Sequence, residues 1–195
     1  MKNEISLERY LDDSYTILLA GPIDMAMANH ITMKMLYLDA RLKAEGVPKH
    51  EAEITLIINS PGGEVNQGMA IYNIMNMVDC DVRTLGMGMC ASMAAFLLSA
   101  GTHGKREVLP DCEIMIHQPL GGAQGQAEDI RIHTERILRM RDRLNGIMAQ
   151  NSGKTLEEVE RATDRDHFMT AEEALEFGLI DSIRPSNPKA YASQL

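Results

Sequence analysis

Residues 54–63 have the sequence ITLIINSPGG, in which an apolar run is broken by a serine, a proline and two glycines. Such a run predicts a strand buried on both faces, as is typical of parallel sheets. A helix is predicted from about 65 to 78. The order of strand and helix recurs along the chain, with strands at 16–20, 81–88 and, as a pair, within 106–117, and helices at 25–45 and 91–100. The sequence therefore predicts an α/β fold with a mostly parallel sheet.

The segment after Pro119 has a different character. Residues 120–127, LGGAQGQA, are rich in glycine and show no core pattern. A long charged helix is predicted from about 128 to 150. Three of its apolar residues are spaced at seven positions: Ile130, Ile137 and Leu144. Such a seam favours a partner helix, so this helix either packs on its own domain or projects to join another subunit.

The length and composition fit one globular domain. Hydrophobic residues make up 45% of the 195 and charged residues 24%, and no linker or repeat divides the chain. We expect a single domain over residues 1–195, with shorter helices at 155–163 and 170–177 and flexible ends at 1–15 and 185–195. No apolar run approaches the ~20 residues of a membrane span. The polar N-terminus is unlike a signal peptide, so a cytoplasmic location is expected.

Charge and cysteine content exclude several classes of protein. The net charge of −9 argues against nucleic-acid binding, because no basic surface is available for phosphates. Cys80, Cys90 and Cys112 are isolated in the sequence. They indicate a reducing compartment and exclude a disulfide scaffold or a thiolate metal site.

Ser92 begins a nearly all-apolar predicted helix after a strand. Serine is a preferred helix cap, and the local pattern alone favours that role. A serine there also lies beside unpaired backbone N–H groups, which suit an oxyanion. Its flanks, Cys90-Ala91-Ser92-Met93-Ala94, do not match the G-x-S-x-G turn of α/β-hydrolases. A catalytic nucleophile is thus the alternative to a cap.

Further candidates follow other strands. Gly62-Gly63 either makes a tight turn or lets the backbone point an N–H at a ligand. His117 ends a strand at the same predicted edge of the sheet, where it could act as a base. Two acids lie between the last predicted helices, Asp164 and Asp166, and the pattern does not choose between them.

A dinucleotide-binding motif is a weaker interpretation. Residues 86–91 match G-x-G-x-x-A after a strand, with Asp111 as the acid for the ribose. The following helix is short, however, and Pro110 turns the chain just before the acid. We therefore favour the serine-based interpretation.

Four blocks of sequence resemble the proteolytic subunit of the Clp protease (ClpP). They are INSPGGEV (58–65), GMCASMAAFLLSAG (88–101), MIHQPLGGAQGQAEDI (115–130) and RATDRDHFMTAEEALEFGLID (161–181). The resemblance covers about residues 16–184. The spacings also match the family, because 117 − 92 = 25 residues separate Ser92 from His117 and 166 − 117 = 49 separate His117 from Asp166.

The resemblance implies a serine endopeptidase with the crotonase-like α/β fold, a repeated β-β-α core with a protruding strand–helix "handle" at about 119–150. The catalytic residues implied are Ser92, His117 and Asp166, which chooses Asp166 over Asp164. The implied oxyanion hole consists of the backbone N–H groups of Gly63 and Met93.

The resemblance also implies an assembly of two stacked heptameric rings around a chamber. Asp129 and Arg165 resemble the family's ion pair between rings, and residues 120–127 are expected to pair with a bound peptide. Unfolded polypeptides are the expected substrates, delivered by an AAA+ unfoldase such as ClpX, ClpA or ClpC. ATP is then used only by that partner, and no cofactor or metal is expected in this chain. No membrane or nucleic-acid partner is expected.

Some features depart from the family pattern. The segment before ILLAG is short, the stretch 41–53 is long, and Thr55 and Ile57 replace aromatic residues that help to dock the unfoldase. A ClpP-like peptidase that acts without an unfoldase is therefore an alternative. Two others are a crotonase-like acyl-CoA enzyme, polarising its thioester with the N–H groups of Gly63 and Met93, and an inactive partner in a mixed ring.

Overall fold

The computed structural model describes residues 6–122 and 124–185. The strands are β1 (Thr16–Ala20), β2 (Glu53–Ser60), β3 (Asp81–Ala91), β4 (Arg106–Val108), β5 (Glu113–Ile116), β6 (His167–Met169) and β7 (Ser182–Ile183). The helices are α1 (Leu7–Asp13), α2 (Met25–Ala44), α3 (Val65–Met75), α4 (Met93–Ser99), α5 (Ala127–Ser152), α6 (Leu156–Thr163) and α7 (Ala171–Phe177). None of the helices in these segments combines the length and apolarity needed to cross a bilayer.

All these strands belong to one sheet. Five of them follow the order β1-β2-β3-β4-β7 and are parallel to their neighbours. β5 pairs in parallel with β3 and antiparallel with β6. The predicted α/β class with a mostly parallel sheet is therefore confirmed, and the single antiparallel strand β6 is a feature that the sequence pattern did not predict.

Strand β2, between β1 and β3, is fully buried on one face only. Ile54, Leu56 and Ile58 are 0% exposed and lie in the core with α2 and α4. The alternate residues Thr55 and Ile57 are half-buried. The prediction of burial on both faces was thus wrong, because helices of this chain cover one face of β2 while ion pairs occupy the other. On that face Glu53 binds Arg83 at 2.7 Å and Lys105 at 2.6 Å.

Strand β3 changes partner along its length. Residues 84–86 pair with β4 and residues 89–91 pair with β5. Gly86 packs closely at this point, because a Cβ there would lie 2.9 Å from both Cys90 Sγ and Val108 Cγ1. The strand therefore continues to Ala91, three residues beyond its predicted end. The glycines of the G-x-G-x-x-A motif lie inside this strand, so the dinucleotide interpretation was wrong.

The long helix α5 projects from the domain. Its buried residues, Leu144, Asn145 and Met148, lie near its C-terminal end. Ile130 is 40% exposed and Ile132 50% exposed. Of the two arrangements that the sequence left open, the structure therefore has the projecting one. The strand expected ahead of this helix is not formed in the described residues 117–122 and 124–126, because a strand needs a hydrogen-bonded neighbour and none lies alongside within the chain.

The N-terminal segment contains a short helix. Within residues 1–15, which were expected to be flexible, Leu7–Asp13 forms α1. Arg41 of α2 holds this helix by donating to the Asp12 carbonyl at 3.0 Å. The flexibility predicted for residues 1–5 and 186–195 lies outside the described residues.

Arg106 joins the ends of three helices. Its guanidinium is buried and donates to the carbonyls of Ser99 in α4, Asn151 in α5 and Gly178 after α7. Its other nitrogens bind both carboxylate oxygens of Asp181, at 2.9 and 2.6 Å. The bidentate pair holds the guanidinium in place, and its bond to the Asn151 carbonyl joins the base of the projecting helix to the sheet.

We expect Asp181→Ala to lower the free energy of unfolding by about 3–5 kcal/mol at neutral pH, because it leaves a buried guanidinium without its partner. Burial disfavours the Asp181 carboxylate, but hydrogen bonds from Arg106 outweigh burial and lower its pKa. A pKa that is lower in the folded state stabilises the fold at neutral pH, and this stabilisation is lost as pH falls below about 4. Denaturant unfolding at several pH values measures the difference.

The control is Asp111→Ala, which alters an exposed turn and should change the unfolding free energy by less than about 0.5 kcal/mol. A loss for Asp181→Ala that persists undiminished at pH 3, or equal losses for both variants, contradicts this account of the ion pair.

Candidate active site

The imidazole of His117 lies between a hydroxyl and a carboxylate. His117 Nε2 is 2.9 Å from Ser92 Oγ, and His117 Nδ1 is 2.9 Å from Asp166 Oδ1. Ser92 joins β3 to α4, His117 follows β5 directly, and Asp166 directly precedes β6. The structure thus brings together all three side chains that the sequence singled out, from three separate segments. The histidine side chain is only 11% exposed.

Ser92 occupies a strained turn between strand and helix. Its backbone has φ +56° and ψ −121°, a conformation that costs a non-glycine residue about 1–3 kcal/mol. The Ser92 N–H donates to the Met115 carbonyl at 2.7 Å, which holds the turn against β5. The hydroxyl makes no capping bond to α4. The capping interpretation was therefore wrong, and the hydroxyl is directed at His117 instead.

Gly62 makes this turn possible by close backbone contact. It has φ +89°, and a Cβ there would lie 2.6 Å from the Ala91 carbonyl oxygen and 2.8 Å from Ser92 Cβ. Any side chain would displace the serine. The sequence suggested only that these glycines form a turn or approach a ligand. The closest approach of Gly62 is to the Ser92 turn itself, which sequence reasoning missed because that contact joins residues about thirty positions apart.

Two backbone N–H groups beside Ser92 are available to a ligand. The chain around Gly63 is fastened to Ile23, since Ile23 N–H donates to the Gly62 carbonyl and Glu64 N–H to the Ile23 carbonyl, both at 2.8 Å. Met93 is the first residue of α4, where N–H groups have no helical acceptor. In the described part of the chain, neither the Gly63 nor the Met93 N–H donates a hydrogen bond.

The antiparallel pair β5–β6 sets the contact between His117 and the acid. Ile116 pairs with His167, so the next residues outward are His117 and Asp166. Asp164 lies two residues earlier, at the end of α6, and its carboxylate is 3.9 Å from Arg165 Nη1. With three residues, β6 is too short for its alternation to be recognised from sequence, which is why the pattern could not choose between the two acids.

Asp129 and Arg165 form no ion pair with each other in the described part of the chain. Asp129 is in the first turn of α5. The Arg165 guanidinium donates to the carbonyl of the neighbouring Asp164 at 3.0 Å and is exposed. Their pairing between subunits stays a prediction.

A groove of about 290 Å³ is lined by residues that follow Gly63 and His117 in the sequence. It lies between the start of α3, residues 119–122 and the middle of α5, close to Gly63 and His117 in sequence. Its apolar lining consists of Val65, Pro119, Leu120, Ile137 and Met140.

Cys90 does not compete with Ser92 as a nucleophile. Its thiol is 0% exposed and lies 3.9 Å from Cys112 Sγ. The hydrogen bond with Cys112 and burial raise the pKa of the Cys90 thiol, so the reactive thiolate is disfavoured. Among the described residues, no group of three or more His, Cys, Asp or Glu side chains is arranged to hold a metal ion.

The fold and site together define a class of protein. A mostly parallel α/β sheet carries a serine, a histidine and a carboxylate in hydrogen-bonded series, which is the geometry of nucleophilic acyl transfer. The family model for Clp protease matches residues 2–187. The chain therefore belongs to the Clp protease family. It is a peptidase of the ClpP type with the crotonase-like α/β fold, and members of this family form oligomeric assemblies.

We expect Gly62→Ala to lower kcat/KM at least about 10²-fold, because the new Cβ moves the Ser92 turn away from His117. The matched control is Gly104→Ala, since Gly104 has nearly the same φ, +84°, with no atom within 4 Å of the added Cβ. That variant should lose about 1–2 kcal/mol of unfolding free energy and keep its activity. Peptide hydrolysis measures kcat/KM, and denaturant unfolding measures the free energy of unfolding. An equal loss of activity in both variants would contradict the role given to the Gly62 contact.

Proposed function

We propose that this protein is a serine endopeptidase that hydrolyses peptide bonds with Ser92 as nucleophile, His117 as base and Asp166 as the acid that orients it. The observation that carries the proposal is the position of the His117 ring, whose two nitrogens are each 2.9 Å from one of the other side chains. In a neutral imidazole one ring nitrogen carries a hydrogen and the other has a lone pair that can accept a proton. A carboxylate on Nδ1–H therefore leaves Nε2 free to act on the serine.

The reaction then has two halves. Ser92 Oγ attacks the peptide carbonyl as His117 Nε2 accepts the hydroxyl proton, and the imidazolium gives that proton to the leaving amine. The carbon–nitrogen bond breaks and the acyl group remains on Ser92. A water molecule, deprotonated by the same nitrogen, releases the acyl group and restores the serine.

The N–H groups of Gly63 and Met93 would stabilise the tetrahedral oxyanion. Both belong to segments that are held rigidly, one by the strand-like bridge to Ile23 and the other by the start of α4. Fixed donors of this kind need no rearrangement as charge develops, and each is typically worth about 10²–10³ in rate.

A crotonase-like acyl-CoA enzyme could use the same two N–H groups but needs no activated serine. The hydroxyl of Ser92 is held at 2.9 Å from a base in a strained turn, which such an enzyme would not require. The same contact disfavours an inactive partner in a mixed ring, because an inactive chain gains nothing from the strain. The peptidase is therefore the function that the geometry supports best.

We further propose that copies of this chain form two stacked heptameric rings, which enclose a chamber in which the peptide bonds are hydrolysed. The projecting part of α5 supports this, because Ile130, Ile132 and Leu138 expose 40–50% of their surface to solvent in one chain. Helices from opposite rings would cover these residues, and Asp129 would then pair with Arg165 of the facing ring. Residues 120–127 would pair with the substrate and complete the strand of the handle.

Access to such a chamber requires unfolded polypeptide, so we propose an ATP-driven unfoldase as partner, with no cofactor in this chain itself. The uncovered face of β2, with Thr55, Ile57 and the Glu53–Arg83 pair, is more polar than an aromatic docking face. That difference favours, as the second candidate, a peptidase that acts on short or unfolded chains without an unfoldase.

A fluorophosphonate probe should label the assembled protein once per chain, on Ser92. Its phosphorus is attacked by an activated serine, so labelling reports the nucleophile directly. Peptide mass spectrometry locates the label, and Ser92→Ala should remove both label and peptidase activity. A label on another serine, or full activity in Ser92→Ala, would contradict the proposal.

The two neighbouring acids provide a matched pair of variants. Asp166→Asn should lower kcat by about 10⁴, because the amide no longer holds the productive tautomer of His117. Asp164→Asn makes the same chemical change two residues away and should leave kcat nearly unchanged. Steady-state hydrolysis of a short fluorogenic peptide measures both values of kcat. A larger loss in Asp164→Asn than in Asp166→Asn would contradict the choice of Asp166 as the acid.

A further inference from the structure

Helix α6, which leads to Asp166, ends without the turn that closes the neighbouring helices. α5 and α7 end at Gly153 and Gly178, both in the left-handed conformation, whose N–H groups bond back to the helix. At the end of α6, Asp164 keeps helical backbone angles and Arg165 follows instead of glycine. The last carbonyl groups of α6 therefore need partners from outside the helix.

Gln118, the residue after His117, supplies two such bonds, and the Asp164 carbonyl also accepts from the Arg165 guanidinium at 3.0 Å. Its backbone N–H donates to the Thr163 carbonyl at 2.6 Å. Its side-chain amide nitrogen, Nε2, donates to the Asp164 carbonyl at 2.8 Å. One residue thus caps the end of α6 twice, and it does so from the segment that carries the base.

Asp166 has little else to hold it. Its side chain is 61% exposed, and among the described residues its carboxylate accepts a hydrogen bond only from His117. The strand that follows, β6, pairs through three residues and only with β5. The position of this acid therefore depends on where the short connection from Thr163 to Asp166 is fastened.

We propose that Gln118 is a positioning residue for the reaction: its side-chain amide fastens the end of α6 to the loop of His117 and so keeps Asp166 at the distance that His117 requires. The inference rests on the proposed function, since it gives Gln118 a role only through Asp166. Gln118 itself touches neither the substrate nor Ser92 in this account.

Gln118→Met tests the proposal, because methionine keeps the length of the side chain but cannot donate to the Asp164 carbonyl. We expect kcat to fall about 10- to 100-fold, as for a small misplacement of a catalytic group, with KM nearly unchanged. The matched control is Gln150→Met, an exposed glutamine of α5 whose side chain makes no hydrogen bond in the described part of the chain. Its kcat should not change. Solution mass checks that both variants assemble as the parent does.

A double-mutant cycle separates positioning from a general structural effect. If Gln118 acts through Asp166, adding Gln118→Met to Asp166→Asn should lower kcat by less than about twofold, because the orientation is already lost. A further drop of the full 10- to 100-fold would overturn the proposal, as would an unchanged kcat in Gln118→Met alone. Should that variant not fold, Gln118→Glu, which also lacks the donor, enters the same cycle.

The outcomes also separate this inference from the proposed function. If the Ser92→Ala protein is active, both the proposed function and the role of Gln118 are contradicted. If the Ser92→Ala protein is inactive and the kcat of Gln118→Met is unchanged, only the role of Gln118 is contradicted.

Discussion

The contact between Gly62 and the turn at Ser92 is the constraint on which the site depends. No side chain fits there, since a Cβ would lie 2.6 Å from the Ala91 carbonyl. The contact lets Ser92 adopt a strained conformation at the end of β3, and it brings the N–H groups of Gly63 and Met93 to the same place. The Ser92 hydroxyl and these two N–H groups are thus positioned by backbone packing rather than by mobile side chains, as the proposed oxyanion hole requires.

The sheet then delivers the other two groups. Because β3 changes partner from β4 to β5, the end of β5 lies beside Ser92, and His117 is the next residue. The antiparallel strand β6 returns along β5 and places Asp166 opposite His117. This second contact is weaker than the first, since it depends on three paired residues and on an exposed carboxylate. We therefore expect the position of Asp166 to depend most on its surroundings, which is the basis of the role proposed for Gln118.

Much of this arrangement could be predicted from the sequence. The features that could not be predicted have one physical reason in common. The buried strand β2 and the long helix α5 have clear periodic patterns, so their positions were predicted within a few residues. The length of β3, the existence of β6 and the packing of Gly62 depend on contacts between distant residues, which leave no local pattern. The spacing of Ser92, His117 and Asp166 predicted through family resemblance that these three residues come together, whereas local signals alone favoured a capping role for Ser92.

The central claim is that Ser92 attacks while Gly63 and Met93 hold the oxyanion. A crystal structure of the assembled protein with a peptide boronic acid tests it most directly, because boron forms a tetrahedral adduct that resembles the intermediate. We predict a bond from boron to Ser92 Oγ, with one boronate oxygen within hydrogen-bond distance of both N–H groups, about 2.7–3.1 Å. A boron bonded to another residue, or an oxygen that faces away from both N–H groups, would contradict the account.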